Sequence, residues 1–144
     1  MQVRPFTEQD RSLYYQLSQA FYQTNAVLHP TDPQLLAHNF DTVIQGTPYL
    51  QGFLLEQSGR PAGFALVVRS YSTELAKPLV WLEELYIDPA FQGQGLGSAF
   101  LHWMLEQYPG SAFRLEVTAE NTGAKKLYER CGYHTLDYIQ MVKK

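Results

Sequence analysis

The second half of the chain contains the glycine-rich stretch Asp88-Pro89-Ala90-Phe91-Gln92-Gly93-Gln94-Gly95-Leu96-Gly97. A strand-like run ends just before it at Ile87, and a pattern typical of an amphipathic helix begins after it. Three glycines in five residues let the backbone turn tightly, and the N-terminus of the helix adds about half a positive charge. This arrangement suits a pyrophosphate, although a sharp strand-to-helix turn is the simpler alternative.

Two common phosphate-binding motifs do not describe this loop. From Gly93 the spacing is Gly-x-Gly-x-Gly, and Ala99 stands where a stretched dinucleotide fingerprint would need its last glycine. The Lys-Ser/Thr pair of a P-loop is also missing. The loop therefore points to a different diphosphate ligand, or to none.

The elements on either side of the loop alternate along the chain. Upstream, the patterns predict a strand at Gln2–Pro5, helices after Thr7 and Asp32, and strands at Tyr49–Gln57, Ala62–Ser72 and Leu79–Ile87. Downstream, they predict a helix after Gly97, a strand at Phe113–Val117, a helix ending at Gly132, and one or two closing strands in Tyr133–Val142. The order β-α-α-β-β-β-α-β-α-β indicates an α/β fold with helices on both faces of a sheet.

Size and composition limit the classes of protein to consider. The chain has 144 residues, 45% of them hydrophobic, which fits one domain spanning residues 1–144. A net charge of −3 argues against nucleic acid as a partner, because phosphate binding needs clustered Lys and Arg. No apolar run is long enough to be a signal peptide or a membrane span, so we expect no membrane partner and a cytoplasmic location.

Metal chemistry is not expected from this sequence. Cys131 is the only cysteine, and its place on the packed face of the last helix indicates a small hydrophobic residue rather than a nucleophile. The four histidines show no metal-ligand spacing: His29, His38, His102 and His134. We therefore predict that no metal is bound.

Two motifs carry a resemblance to a known family. Gln92-x-x-Gly95-x-Gly97, preceded by Leu82-Glu83-Glu84-Leu85-Tyr86-Ile87-Asp88-Pro89, resembles the coenzyme-A-binding motif of GNAT acetyltransferases. The later Asn121-x-x-Ala124, followed by Leu127-Tyr128 and Gly132-Tyr133, resembles the family's second motif. The resemblance implies a GNAT-like fold with a mixed, mostly antiparallel central sheet of six to seven strands and about four helices on both faces.

The resemblance also implies acetyl-CoA as co-substrate and a set of residues that bind it. Backbone N–H groups of Leu85 and Ile87 would meet the pantetheine arm and the thioester carbonyl, freed from pairing by a β-bulge. The residues implied in binding are Leu85, Tyr86, Ile87, Gln92, Gly93, Gln94, Gly95, Leu96, Gly97, Ser98, Asn121 and Tyr128. Asn121 is a favoured helix N-cap whether or not it also binds coenzyme A.

Three side chains are candidates for proton transfer. An amine with a pKa of about 10.4 needs a base to accept its proton. The resemblance implies Glu83 as the first candidate for this base and Glu84 as the second. Because side chains alternate along a strand, the two glutamates are expected to point to opposite faces. The alternative for each of them is that it has no role in catalysis and simply faces water at the edge of the sheet. Tyr128 stands where the family has its general acid, but it also completes an apolar helix face and can simply pack.

The sequence does not determine which amine accepts the acetyl group. Similarity to the spermidine/spermine-type branch implies a small primary amine, such as a polyamine or a lysine-like amino acid. A protein or peptide amine is the main rival, and a non-catalytic coenzyme-A-binding sensor is a third reading. A set of aromatic residues is a candidate for either an acceptor-pocket wall or ordinary core: Tyr14, Tyr15, Phe21, Tyr22, Tyr71 and Trp81. A homodimer would be common for an enzyme of this size.

Overall fold

The computed structural model describes residues 1–144. Its strands are β1 (Gln2–Pro5), β2 (Leu50–Gln57), β3 (Arg60–Ser72), β4 (Lys77–Ile87) and β5 (Ala112–Leu115). Its helices are α1 (Arg11–Phe21), α2 (Pro33–Gln45), α3 (Leu96–Gln107) and α4 (Thr122–Arg130). The predicted element order is confirmed as far as α4.

The sheet has five strands in the order β1-β2-β3-β4-β5, so the expectation of six to seven strands was wrong. Strands β1 to β4 pair antiparallel, and β5 pairs parallel to β4. The segment 133–142 forms no strand, although its aromatic and β-branched residues favour one. Such propensity reflects packing on a half-buried sheet, and here Ile139 and Met141 are 91% and 95% exposed.

Helices cover both faces of the sheet, as predicted. On one face α1 and α2 form an aromatic core with β3 and β4, built from Tyr14, Phe21, Leu36, Phe40, Phe64 and Tyr86. On the other face α3 packs on the sheet through Phe100, Leu101 and Met104, with α4 at the margin of the same core.

The helix boundaries follow from their capping residues. The Asp32 carboxylate accepts a hydrogen bond from the Gln34 N–H at 2.9 Å, with Pro33 in the first turn, as the sequence predicted. Helix α4 differs from the prediction at its end. It has no fully buried residue, and Cys131 is exposed rather than packed because it is the C-cap residue beyond the last helical turn.

We expect Gly63→Ala to destabilise the fold. A Cβ atom at residue 63 would lie 2.0 Å from the carbonyl oxygen of Tyr86, and backbone cannot move aside as a flexible side chain can. Overpacking of this kind costs about 1–3 kcal/mol, measurable by urea unfolding. Gly123→Ala in α4 is the matched control, since no atom lies within 4 Å of its Cβ position. Equal midpoints for the two variants would contradict this account of β3–β4 packing.

Candidate active site

A fork opens in the sheet between β4 and β5. Their pairing runs from Leu79 with Ala112 to Leu82 with Leu115, where β5 ends. Strand β4 continues to Ile87, so from Glu83 onward it has no strand neighbour on this side. Ligands of α/β sheets commonly bind where neighbouring strands part, which makes the fork the candidate site.

A β-bulge lies at the start of the fork, where the sequence resemblance implied one. Leu66 pairs with Glu84 and Val67 with Leu82, which leaves Glu83 without a partner on β3. Because of this extra residue, the side chains of β4 that follow the bulge exchange the faces of the sheet to which they point. Leu82 therefore faces the α3 core, whereas Glu84 and Tyr86 face α1 and α2.

The bulge also directs the backbone of β4. The Asp88 N–H donates to the Ala62 carbonyl at 2.8 Å, and N–H groups in an antiparallel strand alternate between its two edges. The N–H groups of Leu85 and Ile87 therefore point away from β3, into the fork. Their predicted use in holding a thioester arm is compatible with this direction.

The glycine-rich loop follows β4 directly and presents an open helix N-terminus. Gly93 and Gly95 have φ angles of 77° and 78°, in the left-handed region, and Gly95 is the N-cap of α3. No heavy atom lies within 4 Å of a Cβ position at either glycine. Free N–H groups, a helix dipole and open space together fit a diphosphate.

Other loop residues serve to hold the loop itself. The Gln92 side-chain amide donates to the Ile87 carbonyl at 3.0 Å, so this side chain closes the loop. Leu96 is buried with Phe91 and Ala62 beneath it. Gln94 and Ser98 are exposed at the mouth of the loop, and Gly97 packs against Leu127 of α4.

Tyr86, a member of the implied binding set, has its side chain away from the fork. Its side chain is 8% exposed and belongs to the core beneath α1 and α2. The expected aromatic wall is likewise dispersed: Tyr14 and Phe21 are core residues, whereas Tyr71 is exposed at the far end of β3. Tyr22 reaches the fork through its hydrogen bond to Glu84, and Trp81 lies on β4 one residue before the last β4–β5 pair.

Two glutamates flank the fork, one on β4 and one directly after β5. Glu83 is the exposed bulge residue of β4, and Glu116 is the exposed residue that follows β5. Loss of solvation, and then repulsion from Glu116, raise the pKa of Glu83. Sequence analysis missed Glu116 as a site residue. Its alternation with the apolar Leu115 and Val117 was the available signal.

Glu84 is a buried carboxyl group on the opposite face. It is 9% exposed, and its Oε1 accepts a hydrogen bond from the Tyr22 hydroxyl at 2.6 Å. Its Oε2 is buried without a hydrogen-bond partner. Burial raises the pKa of Glu84 to about 7, with repulsion from Glu83 adding to the effect and the Tyr22 bond opposing it. A group with this pKa suits proton transfer at neutral pH.

Tyr128 and Asn121 lie on α4. The Tyr128 ring is half-buried at the margin of the α3 core, 6.0 Å from the Tyr133 ring between centroids, and burial raises the pKa of its phenol. Asn121 caps α4 by accepting from the Ala124 N–H at 3.3 Å, which confirms its capping role. Their catalytic and coenzyme roles stay predictions.

No group of three or more His, Cys, Asp or Glu side chains is arranged to hold a metal ion. None of the four helices combines the length and the hydropathy needed to cross a bilayer.

The buried Glu84 predicts a pH-dependent stability. Its folded pKa of about 7 exceeds the reference value of 4.5, so its stabilising contribution is complete below pH 4.5 and is lost as pH rises through 7. The loss amounts to roughly 3 kcal/mol, and Glu84→Gln should remove this pH dependence in urea unfolding. The control Glu129→Gln, at an exposed carboxylate of α4, should follow wild type. Parallel pH profiles for wild type and Glu84→Gln would disprove the assignment.

The family model for the Acetyltransferase (GNAT) family matches residues 11–133. The chain therefore belongs to the GNAT acetyltransferase family, as its two motifs indicated.

Individual relatives differ in their acceptors. The chain is 37% identical over 93 residues to the ribosomal protein bS18-alanine N-acetyltransferase of Escherichia coli K12, covering 62% of this chain and 58% of that protein. It is 31% identical over 85 residues to the spermine/spermidine N(1)-acetyltransferase of Bacillus subtilis 168, covering 55% of this chain and 56% of that protein. The aligned part thus spans little more than half of either relative.

A solved structure shows the same fold. A possible acetyltransferase from Clostridium difficile 630 superposes with a TM-score of 0.81 at 14% identity, covering 99% of this chain and 96% of that one. At this identity the likeness concerns the fold alone.

Proposed function

We propose that this protein is an acetyl-CoA-dependent N-acetyltransferase that moves an acetyl group to a small primary amine. The amine attacks the thioester directly. The observation that carries the proposal is the fork between β4 and β5, which opens beside an α3 N-terminus preceded by two left-handed glycines. This geometry supports binding of a diphosphate next to an exposed strand edge.

Acetyl-CoA supplies the activated acetyl group of the reaction. Residues Gln92 to Ser98 would hold its diphosphate through backbone N–H groups at the start of α3. The N–H groups of Leu85 and Ile87 would hold its arm and carbonyl at the fork. A donor directed at developing negative charge on oxygen contributes roughly a hundredfold to a thousandfold in rate.

A base is required because most amines are protonated at neutral pH. Glu83 and Glu84 are the proposed groups, as the resemblance implied, and Glu116 adds a third carboxylate at the fork. Glu84 has the pKa closest to neutrality, about 7, and the Tyr22 hydroxyl holds one of its oxygens. Glu83 is more accessible to an incoming amine. Each proton would pass directly or through water.

An acid is required to protonate the leaving thiolate. The Tyr128 hydroxyl is the proposed donor. Because burial raises the pKa of this phenol, it stays protonated at neutral pH and remains able to donate.

The acceptor class is proposed from charge. Carboxylates on both strands of the fork favour a cationic amine, and the named acceptors of the Bacillus subtilis relative are polyamines. The name of the Escherichia coli relative indicates an alanine amine of a ribosomal protein, which keeps a protein or peptide acceptor as the second candidate. A coenzyme-A-binding sensor would bind the nucleotide without turnover.

The test is a thiol-release assay on an amine panel, preceded by calorimetric titration with acetyl-CoA. The panel contains polyamines, lysine-like amino acids, neutral amino alcohols and a peptide with a free N-terminal alanine. Turnover on the small amines supports the proposal, and turnover on the peptide alone supports the second candidate. Binding of acetyl-CoA without turnover on any amine would contradict the proposal and favour a non-catalytic sensor that binds coenzyme A.

A further inference from the structure

Tyr14, Ser18 and Tyr22 form a row of hydroxyl groups along one face of α1 and its C-cap. They stand four residues apart, which places them one above another on a helix. At the end of the row the Tyr22 hydroxyl donates to Oε1 of Glu84 at 2.6 Å. The row therefore runs over the carboxyl group of Glu84, with Ser18 one turn from the residue that binds it.

Three polar atoms in this region are buried without a hydrogen-bond partner. They are the Tyr14 hydroxyl, the Ser18 hydroxyl and Oε2 of Glu84. Tyr14 is 1% exposed, Ser18 0% and Glu84 9%. Buried polar atoms almost always have a partner, in the protein or in bound water, because a lone one has lost its hydration without compensation. Three of them on facing elements indicate a binding site for a small polar molecule.

Electrostatic effects connect Tyr14 to the same carboxyl group. Burial raises the pKa of Tyr14 and the negative charge of Glu84 raises it further, whereas the Ser18 hydroxyl and the Asn39 amide oppose the rise. Because charge effects weaken with distance, this one supports a position of the Tyr14 hydroxyl near the carboxylate.

The surroundings of Glu84 contain no cationic group. The ionisable groups that face it are Tyr14 and Tyr22 from α1 and Glu83 from its own strand, and the neighbours on β3 and α2 are uncharged: Phe64, Leu66 and Asn39. Stabilisation of the carboxylate must therefore come from hydrogen-bond donors rather than from a counter-ion.

We propose that Tyr14 and Ser18 are positioning residues for Glu84, and that their hydroxyls bind one water molecule together with its Oε2. A buried water makes about three hydrogen bonds, which matches the three atoms. The water accepts from the two hydroxyls and donates to the carboxylate, so each group obtains a partner. With Tyr22 on Oε1 and the water on Oε2, the carboxyl group keeps one orientation. The catalytic consequence rests on the proposed function, in which Glu84 is a candidate base.

The test follows the folded-state pKa of Glu84 by urea unfolding across the neutral pH range. The stability that Glu84 contributes declines with rising pH and levels off above its folded pKa of about 7. Hydrogen bonds favour the carboxylate, so Tyr14→Phe and Ser18→Ala should each move this upper limit to higher pH by about half a unit to one unit. The same variants carrying Glu84→Gln isolate the Glu84 contribution. Tyr15→Phe is the matched control, since its hydroxyl accepts from Arg11 at 3.0 Å, and should keep the wild-type limit.

The outcomes separate this inference from the function on which its catalytic part rests. An unchanged limit in either Tyr14→Phe or Ser18→Ala, or an equal shift in Tyr15→Phe, overturns the inference. The double variant should shift little further than either single variant, and fully additive shifts overturn the shared water. The acidic limb of kcat/KM for a small amine should move by the same amount, and a shift seen in unfolding alone overturns the positioning role in catalysis. Absence of thiol release with every amine overturns the proposed function, while the unfolding result stands.

Discussion

Gly95→Val is expected to reduce acetyl-CoA affinity by at least a factor of about a hundred, equivalent to ~2.7 kcal/mol. Gly95 has a φ angle of 78°, which a β-branched residue strongly disfavours. Its side chain would also project into the open space before the α3 N-terminus, where we place the diphosphate. Charge-assisted hydrogen bonds to the loop N–H groups would be lost, at about 1.5–3 kcal/mol each. Calorimetric titration with acetyl-CoA measures the effect.

Gly110→Val provides the control for backbone strain. Gly110 has a φ angle of 76° and an equally empty Cβ position, but it lies after α3 at the other end of that helix. This variant should lose stability and keep its affinity. A folded Gly95→Val protein with wild-type affinity would disprove the assignment of the loop to the diphosphate.

Tyr128→Phe is expected to lower kcat by about a hundredfold or more, the usual scale for a proton-transfer group. The substitution removes only the hydroxyl and keeps the ring that packs at the margin of the α3 core. Acetyl-CoA affinity should therefore persist. Thiol release under saturating acetyl-CoA and amine is the appropriate measurement.

Tyr133→Phe is the matched control for this substitution. Its ring lies 6.0 Å from that of Tyr128 between centroids, and burial raises the pKa of its phenol to about 12. Removal of this neighbouring hydroxyl should leave kcat within a few-fold of wild type. Wild-type turnover in Tyr128→Phe would mean that Tyr128 only packs.

Glu83 and Glu84 show how far sequence reasoning reached and where it stopped. Alternation along a strand predicted that they point to opposite faces; in the structure Glu83 is the exposed residue of the β-bulge and Glu84 is buried on the side of α1 and α2. The pKa of Glu84 could not be read from the sequence, because it depends on burial beneath α1 and on Tyr22, which lies 62 residues away. The alternation of Glu116 with Leu115 and Val117 was visible in the sequence, but its proximity to Glu83 arises only when β4 and β5 pair.

The predicted strands in residues 133–142 are a case in which the local preference of the sequence was misleading. Residues 133–142 have the composition of a strand, but a strand requires a paired edge, and no strand pairs with β5 on its outer side. The prediction that Cys131 is packed was wrong for a similar reason. Helical periodicity placed it on the packed face, whereas the helix ends just before it and leaves it exposed.

The sequence by itself determined the element order, the glycine loop at the start of α3 and the family, because glycine spacing, caps and hydrophobic period act over a few residues. Tertiary structure alone decided the environment of Glu84 and the contacts of the connection between α1 and α2. This connection reaches Glu84 through Tyr22, 62 residues away, and the segment after β5 through Asn25, 95 residues away. Contacts of such separation depend on how the layers pack, which no local pattern encodes.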